Sequence, residues 1–254
     1  MVSTRRTELN SNRRDFLRGG LFTDAGASGV PRVAGTPLNG AVVVDADEDG
    51  SLRGRVSDEA ERIVRNTRHT KYQHKQYIDE TTGTYDVDCS DYVSYVLKQV
   101  AKRHLDLIPK EDWWPVPRAY KYYRFLHGLS MVAVSGWQQI ERLGDAQRGD
   151  IIAWELPGTI KKTRDTGHVV MVAEIPSLLD GQLMAVRVFD SAALPHYDDS
   201  RIPSGGVYRD GVGSGTIHFR VNAVGQPTAF QFGPGDRFHE YPIAIGRIKS
   251  FSES

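Results

Sequence analysis

The chain has little cysteine: Cys89 is the single one among 254 residues. One cysteine cannot form an internal disulfide, and it excludes CxxC redox pairs and four-cysteine zinc sites. Cysteine content therefore gives no indication of an oxidising compartment. A lone cysteine is more often a small buried hydrophobic residue than a reactive one, so its surroundings decide how it is interpreted.

The chain also has no excess of charge and no long hydrophobic run. Its 32 Lys and Arg residues balance 32 Asp and Glu residues, so no basic field indicates a nucleic-acid partner. No stretch approaches 18 consecutive apolar residues, and we expect no transmembrane segment. At 28.3 kDa the chain can bury one substantial core. The oligomeric state is unknown from sequence.

The first 50 residues differ from the rest, being rich in Gly, Ala, Asn and Thr. We expect residues 1–50 to be a flexible N-terminal segment and residues 51–254 to form a single domain. Residues 11–18 (SNRRDFLR) resemble a twin-arginine export signal, although Asp24 and Arg32 interrupt the apolar region that should follow. Export to the periplasm or cell envelope and a cytoplasmic location therefore both stay open.

Helical patterns occupy the first half of the domain. Ser57 or Asp58, with Glu61 as a capping-box partner, predicts a helix that runs to about residue 68. Apolar residues recur at helical spacing from Cys89 to near residue 104, and a shorter helix fits residues 118–126.

Strand patterns occupy the second half. Short apolar runs rich in β-branched residues are separated by Gly and Pro turns. Helices followed by antiparallel strands predict the α+β class. The predicted strands cover residues 151–154, 169–175, 183–189, 216–221, 229–232 and 243–248.

Cys89 lies where a polar, turn-forming stretch ends and a helix begins. The unpaired N–H groups and partial positive charge of a helix N-terminus stabilise a thiolate. A cysteine nucleophile also needs a base within hydrogen-bond reach. His168 is the best-placed histidine, because it opens a predicted strand whose edge can face a cleft.

The hairpin that follows His168 suggests a third residue. If residues 169–175 and 183–189 pair around Leu179, position 168 lies opposite Asp190. Directly opposed residues of antiparallel strands share a face, so Asp190 would orient the His168 ring as the third member of a triad. This arithmetic puts the turn at about residues 177–181.

Three strings in this order resemble the NlpC-type cell-wall cysteine peptidases, which have a papain-like fold. They are VDCSDYV at residues 87–93, RGDII at 148–152 and TGHV at 166–169. The resemblance implies a papain-like arrangement in which a helix carrying the nucleophile packs on an antiparallel sheet. It implies a hydrolase that cleaves amide bonds in peptide or peptidoglycan-like substrates, with no cofactor and no metal.

Carried to this chain, the resemblance implies Cys89 as the nucleophile, His168 as the general base and Asp190 in the place of the third residue. Family members bind the substrate's amino group with an Asp and a Ser that flank the nucleophile, and an upstream tyrosine often lies at the site. The matching positions are Asp88, Ser90 and Tyr77.

The chain departs from the family pattern at several places, among them the third residue, which is more often His, Asn or Gln in relatives, and the longer hairpin. Asp91 stands where relatives usually have Gly, and its negative charge is expected to oppose a low thiolate pKa. Residues 196–215 have no counterpart in the family pattern and are expected to form a lid or a substrate loop.

Other functions stay open. A transglutaminase-like or amidase-type enzyme would use the same three residues, and an inactive binding module could keep the fold. Metal binding by His69 and His74, or by Asp198 and Asp199, is disfavoured because neither spacing matches a known ligand pattern.

Overall fold

The computed structural model describes residues 48–156, 158, 165–203 and 206–251. The twin-arginine-like string at residues 11–18 lies outside the described residues, as does nearly all of the segment expected to be flexible. Within the described part, none of the helices combines the length and apolar character needed to cross a membrane.

The helices lie in the first half of the domain, as predicted. The first helix begins at Glu48 and not at the predicted caps, so Ser57 and Asp58 are inside it. Asp58 serves instead as an ion-pair partner of Arg148, with 2.7 Å between carboxylate and guanidinium. The helices are α1 (Glu48–Asn66), α2 (Cys89–Val100), α3 (Lys102–Leu105) and α4 (Ala119–His127).

An eight-stranded, antiparallel sheet fills the second half, and the α+β class is confirmed. Its strands run in the order β10-β9-β8-β6-β5-β11-β4, with β7 paired to the first part of β8. They are β4 (Trp137–Ile140), β5 (Ile151–Glu155), β6 (Gly167–Val172), β7 (Ser177–Asp180), β8 (Leu183–Ala192), β9 (Gly211–Val221), β10 (Pro227–Gln231) and β11 (Ile243–Ile248).

A small three-stranded sheet precedes α2, in the polar, turn-forming stretch of the sequence that ends at Cys89. It consists of β1 (His69–Lys71), β2 (Tyr77–Asp79) and β3 (Thr84–Asp86), in the order β1-β3-β2. Three-residue strands with polar side chains carry almost no periodicity, which explains why the sequence did not reveal them. The last strand of this sheet, β3, ends three residues before α2 begins.

The large sheet has a core on each face. On β6, Val169 and Met171 pack into the core shared with the helices, while Val170 and Val172 pack into the core on the other face. Because side chains alternate along a strand, His168 lies on the same face as Val170. Asp190 on β8 shares that face by the same alternation, since Val186 and Val188 belong to the same core.

The register between β6 and β8 differs from the predicted one. Met171 pairs with Phe189 and Val172 with Val188, so the same register extended would place position 168 opposite residue 192. The shift is two residues, which keeps every side chain on its predicted face. The difference arises because residues 177–180 form β7, a strand of their own, and the turn falls at Gly181.

Candidate active site

The start of α2 is fixed by Asp88. Its Oδ1 atom accepts hydrogen bonds from the Asp91 N–H and the Ser90 hydroxyl, each at 2.8 Å. This is N-capping, which satisfies one of the donors that a helix N-terminus leaves unpaired. Ser191 ties this turn to β8 through a 2.7 Å bond from its hydroxyl to the Val87 carbonyl.

Cys89 is the first residue of α2 and is buried. Tyr72 and the backbone N–H of Val169 both interact electrostatically with the thiol, and Tyr72 lines the same cavity. Burial raises the pKa of the Cys89 thiol well above its usual value, and the negative charge of Asp88 raises it further. Burial and the charge of Asp88 thus outweigh the stabilisation that the helix N-terminus gives a thiolate. The resting side chain is a neutral thiol.

His168 follows a glycine that no other residue can replace without strain. Gly167 has a φ of 134°, and a Cβ atom there would collide with the carbonyl oxygen of Trp154 on the neighbouring strand β5. The His168 ring packs at 5.2 Å from the Trp154 ring and at 5.4 Å, edge-on, from Phe232. These contacts restrict the orientation of the imidazole.

Asp190 holds His168 in place. Its Oδ2 atom accepts a hydrogen bond from His168 Nε2 at 2.7 Å and a second one from His196 Nε2 at 2.8 Å. Arg201 Nη1 lies 3.1 Å from the other oxygen, Oδ1. Burial alone would raise the pKa of Asp190, but the charges of His196 and Arg201 and the two imidazole bonds hold it well below its usual value.

His196 and Arg201 belong to the segment for which the sequence suggested a lid or substrate loop. In the structure both are buried behind Asp190, and Asp199 binds them together. Its carboxylate accepts bonds from the His196 N–H at 2.7 Å and from Arg201 Nε at 2.7 Å. The first part of the segment is therefore a support for the histidine–aspartate pair, and residues 211–215 belong to β9. A signal was present in the sequence: several charged residues follow the strand that carries Asp190.

Three side chains of this site, His168, Asp190 and His196, bring possible metal-ligand atoms within 4.8 Å of one another. Their contacts fit hydrogen bonding better than ligation. Both imidazoles aim Nε2 at one carboxylate oxygen at 2.7–2.8 Å, and the Arg201 guanidinium, itself a cation, occupies the other oxygen. A bound cation would face that guanidinium charge.

His74 stands at the mouth of the cleft between two carboxylates. Its Nδ1 atom lies 2.9 Å from Asp88 Oδ2, and its Nε2 atom lies 3.3 Å from Asp165 Oδ1. These hydrogen bonds raise the pKa of His74 to about 10, so the ring is an imidazolium at neutral pH. It joins the segment after β1 to the residues just before β6.

Asp91 is buried, and neither of its carboxylate oxygens has a hydrogen-bond partner among the described residues. Burial and the nearby charge of Asp88 raise the pKa of Asp91 to about 8. At pH 7 the Asp91 carboxyl group is therefore protonated, and so uncharged, in most molecules. The expected negative charge beside the nucleophile is largely absent, which corrects the sequence-based interpretation.

The three predicted substrate-binding residues are placed differently. Asp88 and Ser90 line the cleft beside Cys89, but both oxygens of Asp88 already have partners within the chain. Tyr77 lies elsewhere: it is 55% exposed on β2 and lines a separate groove with Tyr95. The prediction for Tyr77 is corrected, because the tyrosine that lines the cavity with Cys89 is Tyr72, in the segment between β1 and β2.

Two adjoining cavities meet at this point and share Tyr72, Asp165 and Gly167. The first, of about 180 Å³, contains Cys89 and is otherwise lined by His74, Asp88, Ser90, Trp114, Arg118, Ala119 and Thr166. The second, of about 220 Å³, contains His168 and is otherwise lined by Trp154, Leu156, Ala192, Ala193, Leu194, Phe230, Phe232, His239 and Tyr241.

Comparison with known proteins gives little further guidance. No family model matches the chain, and no solved structure matches it. Among curated proteins, the chain is similar to one described as uncharacterized protein R653 of Acanthamoeba polyphaga mimivirus. The two are 24% identical over 217 residues, which cover 73% of this chain and 91% of the viral protein. The likeness thus extends over most of both chains.

Proposed function

We propose that the chain is a cysteine-dependent hydrolase that cleaves amide bonds with Cys89, His168 and Asp190. One observation carries the proposal: His168 is held at 2.7 Å by the buried Asp190, and the next residue, Val169, interacts through its backbone N–H with the Cys89 thiol. A nucleophile, a base and a group that orients the base are the parts that covalent catalysis by a thiol requires.

The proton path follows from the hydrogen bonds. Nε2 of His168 is bound to Asp190, so Nδ1 is the ring nitrogen that takes the Cys89 proton. The thiolate attacks the carbonyl carbon to form a C–S bond. The C–N bond then breaks, and His168 gives its proton to the departing amine.

Water completes the cycle. His168 removes one proton from water, the hydroxide adds to the thioester carbon, and the C–S bond breaks to release a carboxylic acid. The proton returns to the Cys89 sulfur. The Cys89 N–H at the first position of α2 is the candidate donor to the oxyanion, since the helix gives this N–H no internal partner.

The neutral resting thiol fits a mechanism in which proton transfer accompanies attack. The Cys89 pKa is raised by burial, so a stable thiolate–imidazolium pair is not the starting state. Transfer of the Cys89 proton to His168 must therefore coincide with attack on the substrate carbonyl. The same feature would suit an inactive module, which makes a direct test of acyl transfer decisive.

A papain-like fold related to the NlpC-type peptidases is part of the proposal. It is supported by the order of the parts: a helix that begins at Cys89, then β5, then β6 beginning beside His168. Cell-wall peptides are accordingly the first substrates to assay, and a cell-envelope location would suit them. Protein glutamine serves as the competing substrate, since a transglutaminase-like enzyme would use the same three residues.

The test is to trap the acyl intermediate on the single cysteine. p-Nitrophenyl acetate is a small acyl donor that does not depend on the natural substrate. We expect mass spectrometry to find one acetyl group on Cys89 in the wild-type chain, with far less in His168→Gln and none in Cys89→Ala. Acetylation that is equally fast in His168→Gln would overturn the proposal.

A further inference from the structure

The cavity on the His168 side of the cleft has an apolar wall made of several elements. Aromatic side chains from β5, β10 and the segments after β10 contribute most of it, and Leu194 closes it after β8. Phe230 and Phe232 lie edge to face with ring centres 5.2 Å apart, which gives the wall a defined shape.

Three polar side chains of this cavity have partners within the chain. His168 is bound to Asp190, His239 lies 3.0 Å from Asp236, and Asp165 is paired with His74. A charged group that packs against Leu194, Phe230 and Phe232 would lose water without gaining a polar partner from these side chains. An apolar group would lose only unfavourable contact with water.

The chemistry decides which part of a substrate lies there. His168 must hand its proton to the departing amine, so the leaving group lies on the His168 side of Cys89. The cavity that contains His168 has the aromatic wall, whereas His74, Asp88 and Arg118 line only the cavity that contains Cys89, and Asp165 lies where the two cavities meet. We propose that the apolar cavity binds the leaving group, and that this group is an apolar amine of about the size of a phenylethyl side chain.

This inference rests on the proposed function and restricts the class of substrate that the enzyme would cleave. It predicts that the cleaved amide bond lies on the N-terminal side of an apolar residue and not of a charged one. A volume of about 220 Å³ is enough for one aromatic or branched aliphatic side chain.

Aminolysis tests the inference, because an amine that attacks the acetyl-Cys89 thioester retraces the path of the leaving group. The attacking amine forms the C–N bond, its proton passes to His168, and the Cys89 sulfur leaves and is reprotonated. We expect 2-phenylethylamine to be acetylated at least about tenfold faster than ethanolamine, compared at equal concentrations of free base. Equal rates, or a preference for ethanolamine, would overturn the inference.

A matched pair of variants locates the preference. Leu194→Asp puts a charge into the cavity wall at a side chain that is 50% exposed, and we expect it to remove most of the preference for 2-phenylethylamine. Leu178→Asp makes the same change on β7 at a 64% exposed leucine outside this cavity, and the preference should persist. A preference that survives Leu194→Asp unchanged would contradict the assignment of the cavity.

A binding measurement separates failure of this inference from failure of the proposed function. N-(2-phenylethyl)acetamide is titrated into Cys89→Ala, which cannot form an acyl-enzyme, with tryptophan fluorescence as the readout because Trp154 lines the cavity. Weaker binding in the Cys89→Ala, Leu194→Asp double variant than in Cys89→Ala, Leu178→Asp supports the cavity even if no acetyl-Cys89 forms. Equal binding in both double variants overturns it.

Discussion

His168 Nε2 lies 2.7 Å from Asp190 Oδ2, although the two residues are not directly opposed across their strands. They are diagonal neighbours on one face of the sheet, two positions out of register. A diagonal neighbour is within reach of a long side chain, and an imidazole covers the remaining distance. His168 and Asp190 can pair even though the predicted turn was misplaced. Their pairing requires only that both side chains lie on the same face of the sheet, and the two residues need not be directly opposed.

Asp190→Asn should remove most of the hydrolytic activity. The amide cannot accept from both imidazoles as an ionised carboxylate does, and it leaves the buried Arg201 charge poorly compensated. We expect the rate of Cys89 acetylation by p-nitrophenyl acetate to fall by about 10²- to 10⁴-fold. Asp106→Asn, at an exposed carboxylate that pairs with Lys102, is the control. Near-normal acetylation in Asp190→Asn would show that His168 needs no carboxylate.

Asp91→Asn should stabilise the fold in a pH-dependent way. The pKa of Asp91 rises from 3.8 to about 8 on folding, so folding favours the neutral acid. The folded state is therefore penalised progressively as pH rises from about 4 to about 8, and asparagine escapes this penalty. We expect the difference in Tm between variant and wild type to grow over that range and then level off. A difference that is constant with pH would be inconsistent with a buried, uncharged Asp91.

His74→Gln should weaken the fold most at low and neutral pH. The pKa of His74 is raised from 6.5 to about 10 by its two carboxylate partners. Their stabilisation is therefore fully present below about pH 6.5 and is lost as pH rises through about 10. The ring is half-exposed, so we expect at most about 1 kcal/mol. Urea unfolding at pH 6 and pH 10 measures the change, and an equal loss at both values would contradict the ion-pair explanation.

Gly167→Ala should destabilise the strand entry by more than the cost of a positive φ alone. Its Cβ would meet the Trp154 carbonyl, whereas a Cβ at Gly235, with a φ of 84°, would meet nothing nearby. Gly235→Ala is thus the matched control and should cost about 1 kcal/mol. We expect Gly167→Ala to cost about 2 kcal/mol or more. Equal unfolding free energies for the two variants would contradict a collision between a Cβ atom at position 167 and the Trp154 carbonyl.

Local sequence patterns were sufficient for the elements with clear periodicity. Helix α2 starts at Cys89, and β11 spans the predicted residues, because capping residues and apolar alternation act over a few positions. The pairing of His168 with Asp190 followed from alternation, which a two-residue shift leaves intact.

The support behind Asp190 could not be predicted in the same way. Arg201 and His196 reach Asp190 from an irregular segment, and their partners depend on how that segment folds back. The buried state of Asp91 and the position of Tyr72 in the cavity with Cys89 likewise depend on packing between distant elements. Such contacts have no period in the sequence, so only the folded arrangement reveals them.

The most direct measurement compares the rate at which chloroacetamide alkylates Cys89 at pH 7 in the wild-type chain and in His168→Gln. Cys89 is the single thiol, so the reaction reports on this site alone, and His127→Gln, at an exposed histidine of α4, serves as the control. With its thiol pKa raised by burial, Cys89 needs a base to react. We expect alkylation to be about 100-fold slower in His168→Gln and unchanged in His127→Gln. Equal rates in wild type and a folded His168→Gln would contradict a catalytic partnership of Cys89 and His168.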